Sequence, residues 1–302
     1  MNLKQTIKKA RDYLGSIWLS SIIKRLEKVD YTSASDRGAR LGRIAYILFR
    51  KQRRRTLKNL RSIFKEKKTP DQCKGIVLRL FENFFRSGFE CIAYSNLPAD
   101  EKKNYVRIVG KEKLDNALAS GRGVVALSAH FGNFLIMMAR LSLEEYCVDL
   151  LVKKMKDERV EALLQKLRDK LEYHTIYVNG KIQAAKSSMS SLKKNHVLVM
   201  LGDQRQKRAG VDVTFLGLPA KAATGPVSFA LSCGAPIVPM FMVRNSDNVT
   251  HTLFIEDPIE MSISGEKERD LKTNVQKYTN AIEAYVQKYP DQWIWNHKRW
   301  TS

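Results

Sequence analysis

One stretch, residues 121–135 (GRGVVALSAHFGNFL), constrains the fold more than any other part of the chain. Val124 to Ser128 is a nearly continuous run of small and β-branched apolar residues, which is typical of a strand buried on both faces of a parallel sheet. A short polar turn containing His130 follows, and a helical pattern begins directly after it. The stretch therefore predicts a strand, a tight turn and a helix, with a histidine at the carboxyl end of the strand.

The position of His130 favours a functional role. In open α/β sheets, ligands bind outside the carboxyl ends of the strands. A histidine at that edge is able to act as a general base near neutral pH. A turn histidine whose ring is satisfied by a backbone carbonyl is the alternative that the residue alone leaves open.

The hydrophobic pattern after residue 106 alternates between strands and helices. Strands are predicted at 124–128, 147–152, 174–178, 197–201, 211–215 and 236–242. Helices are predicted at about 133–144, 157–172, 181–194 and 224–233, and a hairpin-like stretch near 251–256 precedes a last helix at about 268–288. Alternation of this kind predicts βαβ units, and hence an α/β fold with a largely parallel mixed sheet flanked by helices.

The N-terminal part is predicted to be helical. Residues 1–28 suggest one amphipathic helix whose Trp and Leu face, ringed by Lys and Arg, fits a membrane interface; a surface helix packed on the domain is the equal alternative. Residues 29–100 are predicted to form a basic helical segment and residues 101–302 an α/β domain. We expect residues 29–302 to form one compact unit.

Positive charge is the strongest compositional signal. Between Arg50 and Lys68, ten of nineteen residues are basic, and each basic residue near an anionic leaflet contributes about 1 kcal/mol of binding. The whole chain carries a formal charge of +22, which implies an anionic partner: a nucleic acid, an anionic membrane surface, or an acidic protein or phosphorylated substrate. Since the sequence has no nucleic-acid-binding signature, we expect no nucleic-acid partner.

The four cysteines lie far apart, without the paired spacing of a zinc site or a disulfide framework. This predicts no metal site and a reducing, cytosol-facing compartment. The chain has no run of eighteen apolar residues and no cleavable signal pattern, so a conventional spanning helix is not expected.

A second informative stretch begins at the predicted strand 197–201. Asp203 and Gln204 come directly after it, so a parallel arrangement with 124–128 places Asp203 at the same sheet edge as His130. A carboxylate beside a histidine orients the ring and favours its protonated state. A helix cap or a turn residue is the alternative for Asp203.

Two further features follow along the chain. Arg205, Lys207 and Arg208 are candidates for clamping a phosphate, or else solvated loop charges. The apolar loop from Phe215 through Gly217 to Ala220 suits the wall of a slot for an alkyl chain, or else a buried turn.

An ordered set of motifs runs along the chain: Asn59-Leu60, His130-Phe-Gly-Asn, Asp203-Gln204, the Phe215-Leu-Gly-x-Pro loop, Thr224-Gly-Pro, Ala235-Pro-Ile-Val-Pro and the C-terminal Pro290, Gln292-Trp293-x-Trp295, His297 and Arg299-Trp300. In order and spacing, these motifs resemble the bacterial lipid A biosynthesis acyltransferases, the late, secondary transferases of the lysophospholipid acyltransferase superfamily. The resemblance spans roughly residues 35–300.

The resemblance implies a glycerolipid acyltransferase-like fold and a reaction without a cofactor. An acyl chain passes from an acyl-carrier-protein or acyl-CoA thioester to a lipid hydroxyl, and His130 is the general base. The family's acid, five residues after the histidine, is replaced by Leu135, and the topology makes Asp203 the candidate substitute. Substrate-binding candidates are Asn133, Lys153 or Lys154 at the family's arginine, Arg168, Gln204, Arg205, Arg208, Phe215 and Gly217.

The implied partners are an acyl carrier protein, an anionic membrane surface and a lipid acceptor. The expected location is the cytoplasmic face of the bacterial inner membrane, with peripheral or monotopic attachment. The expected acceptor is a lipid A precursor or a related glycolipid. A lysophospholipid or aminolipid acceptor is the alternative, as is a catalytically impaired lipid-binding homologue, for which Leu135 argues.

Overall fold

The computed structural model describes residues 3–178, 180–206, 210–297 and 299–300. These residues form an α/β fold with a seven-stranded mixed sheet flanked by helices and preceded by a helical N-terminal part, which confirms the predicted fold class. The helices are α1 (Leu3–Leu26), α2 (Tyr31–Leu48), α3 (Arg50–Phe64), α4 (Pro70–Ser95), α5 (Ala99–Tyr105), α6 (Lys111–Leu118), α7 (Phe134–Ser142), α8 (Glu158–Lys170), α9 (Lys181–Lys193), α10 (Gly225–Cys233) and α11 (Lys267–Lys288).

The large sheet has the strand order β1-β9-β8-β2-β5-β3-β4 and is parallel except for the antiparallel pair β8 and β9. That antiparallel pair confirms the hairpin-like stretch near 251–256. The strands are β1 (Val106–Val109), β2 (Val124–Ser128), β3 (Val148–Val152), β4 (His174–Tyr177), β5 (Val197–Leu201), β6 (Gly210–Phe215), β7 (Leu218–Ala223), β8 (Ile237–Arg244) and β9 (His251–Ile255).

The predicted strand 211–215 is present but belongs elsewhere. It corresponds to β6, which pairs with β7 as a separate two-stranded antiparallel hairpin and not with the large sheet. Its alternating pattern requires only that one face of the strand be buried. A hairpin packed on α11 buries one face as well as a strand of the large sheet does.

The central strand β2 is buried on both faces, as its continuous apolar run predicts. Val125 and Leu127 face a core shared with α10, α11 and the C-terminal tryptophans, whereas Val124 and Ala126 face a core shared with α6 and α7. Because side chains alternate along a strand, both faces need apolar residues, and no polar position remains within β2 before Ser128.

Two glycines set the packing of the N-terminal helices. A Cβ at Gly38 would lie 2.7 Å from the Arg86 Cα, and one at Gly42 would lie 2.6 Å from the Glu82 Cα. Only glycine lets α2 approach the backbone of α4 this closely. In the described part of the chain, no helix combines the length and the apolar character that crossing a bilayer requires.

Candidate active site

His130 lies in the turn that joins β2 to α7. Gly132 adopts a positive φ of 53°, and a Cβ there would lie 1.7 Å from the Met242 carbonyl oxygen, so the turn requires glycine at this position. The C-terminal segment fastens the turn: the Gly132 N–H donates to the Gln292 carbonyl at 2.8 Å, and Phe131 forms an antiparallel bridge with Trp293. The backbone that carries His130 is therefore held on two sides.

Asp203 meets His130 at the carboxyl edge of the sheet, as the topology predicts. Strands β2 and β5 are parallel with Ser128 opposite Leu201, so the residues just beyond the two strands come together. The His130 Nδ1 lies 2.9 Å from the Asp203 Oδ1, and the Trp293 Nε1–H donates to the Asp203 Oδ2 at 2.9 Å. Asp203 is fully buried.

The surroundings of Asp203 keep it ionised. Burial alone would raise the pKa of its carboxyl, but the hydrogen bond and charge of His130, together with the Trp293 bond, hold that pKa below its ordinary value. Because a carboxylate only accepts, the His130 Nδ1 carries the proton of the shared bond. The lone pair of the neutral ring is then on Nε2, where the Gln204 amide nitrogen lies 3.2 Å away.

Two cavities meet at the His130 ring, whose side chain is 23% exposed. The first, here called the helical cavity, has a volume of about 310 Å³ and is lined by apolar residues of α1, α2 and α4, with Phe134 and Leu135. The second, the sheet-edge cavity, has a volume of about 770 Å³ and lies among β3, β5, α8 and α10. His130, Phe134 and Leu135 line both.

Leu135 is half-buried on α7, one residue into the helix, and contributes only an apolar wall to both cavities. Among the carboxylates that the structure describes, Asp203 is the one bonded to His130. An apolar side chain therefore occupies the position at which the family that this chain resembles has its acid, and the charged partner of the His130 ring is Asp203, just after β5.

Three predicted basic residues lie near the sheet-edge cavity, and they differ in exposure and in ion pairing. Lys153 is exposed on its wall just after β3, and Lys154 is exposed next to it. Arg168 also lines the cavity, but its guanidinium lies 2.7 Å from the Glu161 carboxylate, so its charge is already paired. Glu161 in turn accepts a hydrogen bond from the Met155 N–H at 2.6 Å, which fixes the loop after β3.

The remaining polar candidates differ in access. Gln204 is exposed on the wall of the sheet-edge cavity. Arg205 is half-buried, and its Nε is a buried donor with no hydrogen-bond partner among the described residues. Lys207 and Arg208 lie outside the described residues.

The structure places Asn133 inside the protein, and among the described residues that line the two cavities it does not appear. Its side chain is fully buried, and its Nδ2 donates to the Glu90 Oε2 at 2.8 Å, so it fastens the turn to α4.

The structure places Phe215 and Gly217 away from the walls of both cavities. Phe215 is fully buried with its ring centroid 5.4 Å from that of Trp293, and Gly217 forms the tight turn between β6 and β7. Among the described lining residues of the two cavities, neither appears. Phe215, Leu216 and Ala220 are buried, with Phe215 against Trp293 and Ala220 bridged to Trp300, whereas Gly217 and Pro219 are exposed at the turn.

Sequence reasoning missed Trp293 as the second partner of Asp203, and Glu90 as the anchor of Asn133. Glu90 had a signal: a charged residue within an apolar helical face needs a partner. Among the described residues, no group of three or more His, Cys, Asp or Glu side chains has a geometry that suits a metal ion.

Comparisons with known proteins find one family model and several acyltransferases that this chain is similar to. A family model described as "Bacterial lipid A biosynthesis acyltransferase" matches residues 4–302. The chain is 22% identical over 309 residues to a lipid A biosynthesis palmitoleoyltransferase of Escherichia coli, a match that covers 96% of this chain and 90% of that protein.

Two mycobacterial phosphatidylinositol mannoside acyltransferases are also similar. The one from Mycobacterium tuberculosis is 25% identical over 171 residues, covering 56% of this chain and 54% of the relative, so the chain matches about half of that relative's length. The one from Mycolicibacterium smegmatis is 21% identical over 237 residues, covering 77% of this chain and 74% of the relative.

Proposed function

The chain belongs to the family of bacterial lipid A biosynthesis acyltransferases, and from that premise we propose that it transfers a fatty acyl chain from an acyl-carrier-protein thioester to a hydroxyl of a lipid A precursor or a related glycolipid. One observation carries the proposal: His130, held by the buried Asp203, lies where two cavities meet. A base needs access to the hydroxyl and the thioester together, and this arrangement supplies two approaches to one ring.

In the proposed reaction, the His130 Nε2 accepts the proton of the acceptor hydroxyl while the hydroxyl oxygen attacks the thioester carbonyl carbon. Asp203 stabilises the imidazolium that forms. When the tetrahedral intermediate collapses, the carbon–sulfur bond breaks and His130 returns the proton to the departing thiolate. The products are an ester and a free thiol, and no cofactor is required. The acceptor hydroxyl replaces the Gln204 amide nitrogen next to the His130 Nε2.

The two cavities suit different parts of the substrates. The helical cavity, with Phe84, Phe85 and Phe89 on its wall, suits an alkyl chain. The sheet-edge cavity combines apolar walls with the cation of Lys153 and the amide of Gln204, which suits a substrate that carries a phosphate group.

The acceptor is proposed from the relatives. Their names state lipid A biosynthesis and phosphatidylinositol mannoside acylation, so a glycolipid hydroxyl is the shared choice. A lysophospholipid or aminolipid remains the second candidate. A catalytically impaired lipid-binding homologue is the third, argued from Leu135, and the bond between Asp203 and His130 counts against it because the ring keeps a carboxylate partner.

The proposed partners and location follow from charge. A formal charge of +22 favours an acidic carrier protein and an anionic leaflet, and α3 presents its basic residues at the surface. We place the protein peripherally or monotopically on the cytoplasmic face of the inner membrane. Deleting residues 1–28 is expected to weaken binding to anionic vesicles, and salt is expected to weaken the remainder because charges are screened over about 10 Å at 0.1 M.

One assay tests the proposal. Acyl-carrier-protein thioesters of several chain lengths, with acyl-CoA as the alternative donor, are presented with glycolipid, lysophospholipid and aminolipid acceptors, and products are identified by mass spectrometry. Acylated glycolipid supports the proposal. Acylated lysophospholipid alone moves the choice to the second candidate. A lipid that stays bound without any acylation indicates the impaired homologue.

A further inference from the structure

An apolar patch lies exposed where α2 ends and α3 begins. We call residues 44–49 the α2–α3 corner. Ile44 is 52% exposed, Ile47 62%, Leu48 67% and Phe49 47%. Single exposed apolar residues are ordinary, but three consecutive ones at a helix end form a contiguous surface that points to a partner.

The patch is not a by-product of folding the helix against its neighbour. Where α2 approaches α4 most closely its residues are small, Gly38, Gly42 and Ala45, so this packing does not depend on the large apolar side chains that face outward. Ile44 and Leu48 nevertheless lie one turn apart on the outward side, with Ile47 between them. Solvent alone gives no reason for this placement.

The corner is continuous with the path to His130. Phe49 lines a cavity of about 230 Å³ whose wall includes Phe84, Phe85 and Ile294, and the same three residues line the helical cavity. Two large side chains at the rim of the helical cavity, Trp18 at 57% and Phe84 at 58%, are also exposed. An apolar, exposed rim therefore runs from the corner to the opening over the histidine.

Positive charge flanks the corner on both sides. Arg40 is exposed on α2, where the neighbouring Arg43 is paired with Glu82, and Arg50, Lys51 and Arg54 are exposed at the start of α3. A ring of cations around an apolar patch matches an anionic bilayer, whose phosphates meet the cations while its acyl region takes the apolar side chains. A second copy of this chain is a poorer match, because its corner carries the same positive ring and like charges repel.

We propose that the α2–α3 corner inserts into the interface of an anionic bilayer, and that the rim formed by Trp18 and Phe84 delivers lipid chains from that bilayer to the helical cavity. The delivery role rests on the proposed function, whereas the insertion does not. Insertion at this corner places the opening of the helical cavity against the lipid, so an alkyl chain reaches His130 without crossing water.

Vesicle binding tests the insertion without any acyl substrate. The full chain is sedimented with phosphatidylglycerol and phosphatidylcholine vesicles, and Leu48→Glu is compared with Ile263→Glu. Ile263 is the matched control because it is 76% exposed and lies near Pro236, where β8 begins, at the sheet edge opposite His130. We expect Leu48→Glu to weaken binding about tenfold or more, through lost apolar burial and added repulsion, and Ile263→Glu to bind like the native chain.

A second pair of variants keeps the apolar character and reports depth. Leu48→Trp is expected to bind like the native chain and to gain fluorescence that brominated lipids quench, whereas the added fluorescence of Ile263→Trp stays unquenched. Equal binding by Leu48→Glu and the native chain overturns the insertion, as does a native chain that ignores anionic vesicles. A native dimer that Leu48→Glu dissociates in sedimentation velocity overturns it in favour of self-association.

The outcomes separate this inference from the proposed function. A chain that depends on Leu48 for vesicle binding but transfers no acyl group keeps the insertion and loses the function. A chain that transfers acyl groups while Leu48→Glu binds vesicles normally keeps the function and loses the insertion.

Discussion

Two buried carboxylates hold opposite ends of the turn between β2 and α7, and they serve it differently. Asp203 binds His130, whose ring opens on both cavities. Glu90 binds Asn133, which is fully buried, and forms a bidentate ion pair with the equally buried Arg244. Both acids are buried, but of the two side chains that they hold, only His130 reaches the cavities, so of these two acids only Asp203 is placed to act on a substrate through its partner.

The Glu90 cluster is closed on every side. Ser35 donates to its carboxylate at 2.6 Å, and the His251 Nε2 lies 3.6 Å away. Burial would raise the pKa of Glu90, but the charge of Arg244 and the hydrogen bonds of Arg244 and Ser35 hold it below its ordinary value. Burial and the Arg244 charge lower the pKa of His251 to about 3, so its ring is neutral near pH 7. This cluster stabilises the platform beneath the site.

The largest expected effect is on the acyl-transfer rate and concerns His130. We call this end of the turn, which opens on the two cavities, the open end, and the end at Asn133, which Glu90 holds, the closed end. His130→Ala is expected to lower the acyl-transfer rate by about 10²–10⁴-fold, which is the usual contribution of a general base. The fold should persist, because the ring lies at a cavity. Turnover and thermal unfolding are measured together, with His174→Ala as control because that side chain is 74% exposed on β4. Native turnover in His130→Ala would remove the residue from the mechanism.

A substitution at the closed end should lower the free energy of unfolding. Glu90→Gln keeps the shape but leaves Arg244 buried without its countercharge, and breaking a buried pair in this way costs about 3–5 kcal/mol. Urea unfolding measures the loss. The acyl-transfer rate per folded molecule should fall far less than in Asp203→Asn. A Glu90→Gln protein of native stability would abolish the distinction between the two acids.

Asp203→Asn should show the reverse pattern. The amide keeps the shape but cannot stabilise a protonated His130, so the rate is expected to fall by much of the His130→Ala loss. The double variant should be little slower than either single one, since residues that act as a unit are not additive. Rates and urea unfolding are compared with Glu90→Gln. A rate equal to that of the native chain would leave Asp203 a structural residue.

The sequence predicts the open end better than the closed one for a physical reason. Parallel strands bring their carboxyl ends to one edge, so two short apolar runs suffice to place His130 beside Asp203. The partners Trp293 and Glu90 come from a C-terminal segment and from a helix, which no strand rule places, and their contacts form only when the layers pack. The burial of Asn133 against Glu90 is not visible in the sequence for the same reason.

The fold shows a similar limit. The βαβ units with long helices are visible in the pattern, whereas β1, α5 and α6 are too short to show a period. The alternation in β6 reveals a strand but not its partner, so the sequence does not distinguish a strand of the large sheet from the hairpin that β6 forms with β7.

Acidity should separate the residues of the closed cluster. The pKa of His251 is depressed to about 3 from an ordinary 6.5, so its neutral form costs nothing above pH 6.5 and the folded state loses stability as the pH falls from 6.5 toward 3. The pKa values of Glu90 and Asp203 are lowered in the folded state. Each carboxylate therefore stabilises the folded state at a pH above its ordinary pKa, and this stabilisation is lost as the pH falls below that pKa. His251→Leu should therefore flatten the unfolding free energy between pH 6 and 5, by at most about 1.4 kcal/mol per pH unit. An unchanged slope there would assign the acid sensitivity to the carboxylates.

The smallest expected effect concerns Leu135. Substitutions there test whether the His130 ring can take a carboxylate partner from a second position. Leu135 is one residue into α7, where the helix N-terminus favours a carboxylate, and it lines both cavities with His130. In the native background, Leu135→Glu should give no gain, because Asp203 already holds the ring and a charge between apolar walls is poorly solvated.

In the Asp203→Asn background, Leu135→Glu should raise the acyl-transfer rate several-fold, since a new carboxylate supplies the missing charge. Leu135→Gln in the same background is the control, because it has the size of Glu without the charge. A gain in rate from Glu alone shows that a carboxylate at position 135 still reaches the His130 ring and can replace that of Asp203. A gain from neither means that the β2–α7 turn, fixed by Gly132 and the Glu90 cluster, now aims His130 at Asp203 alone.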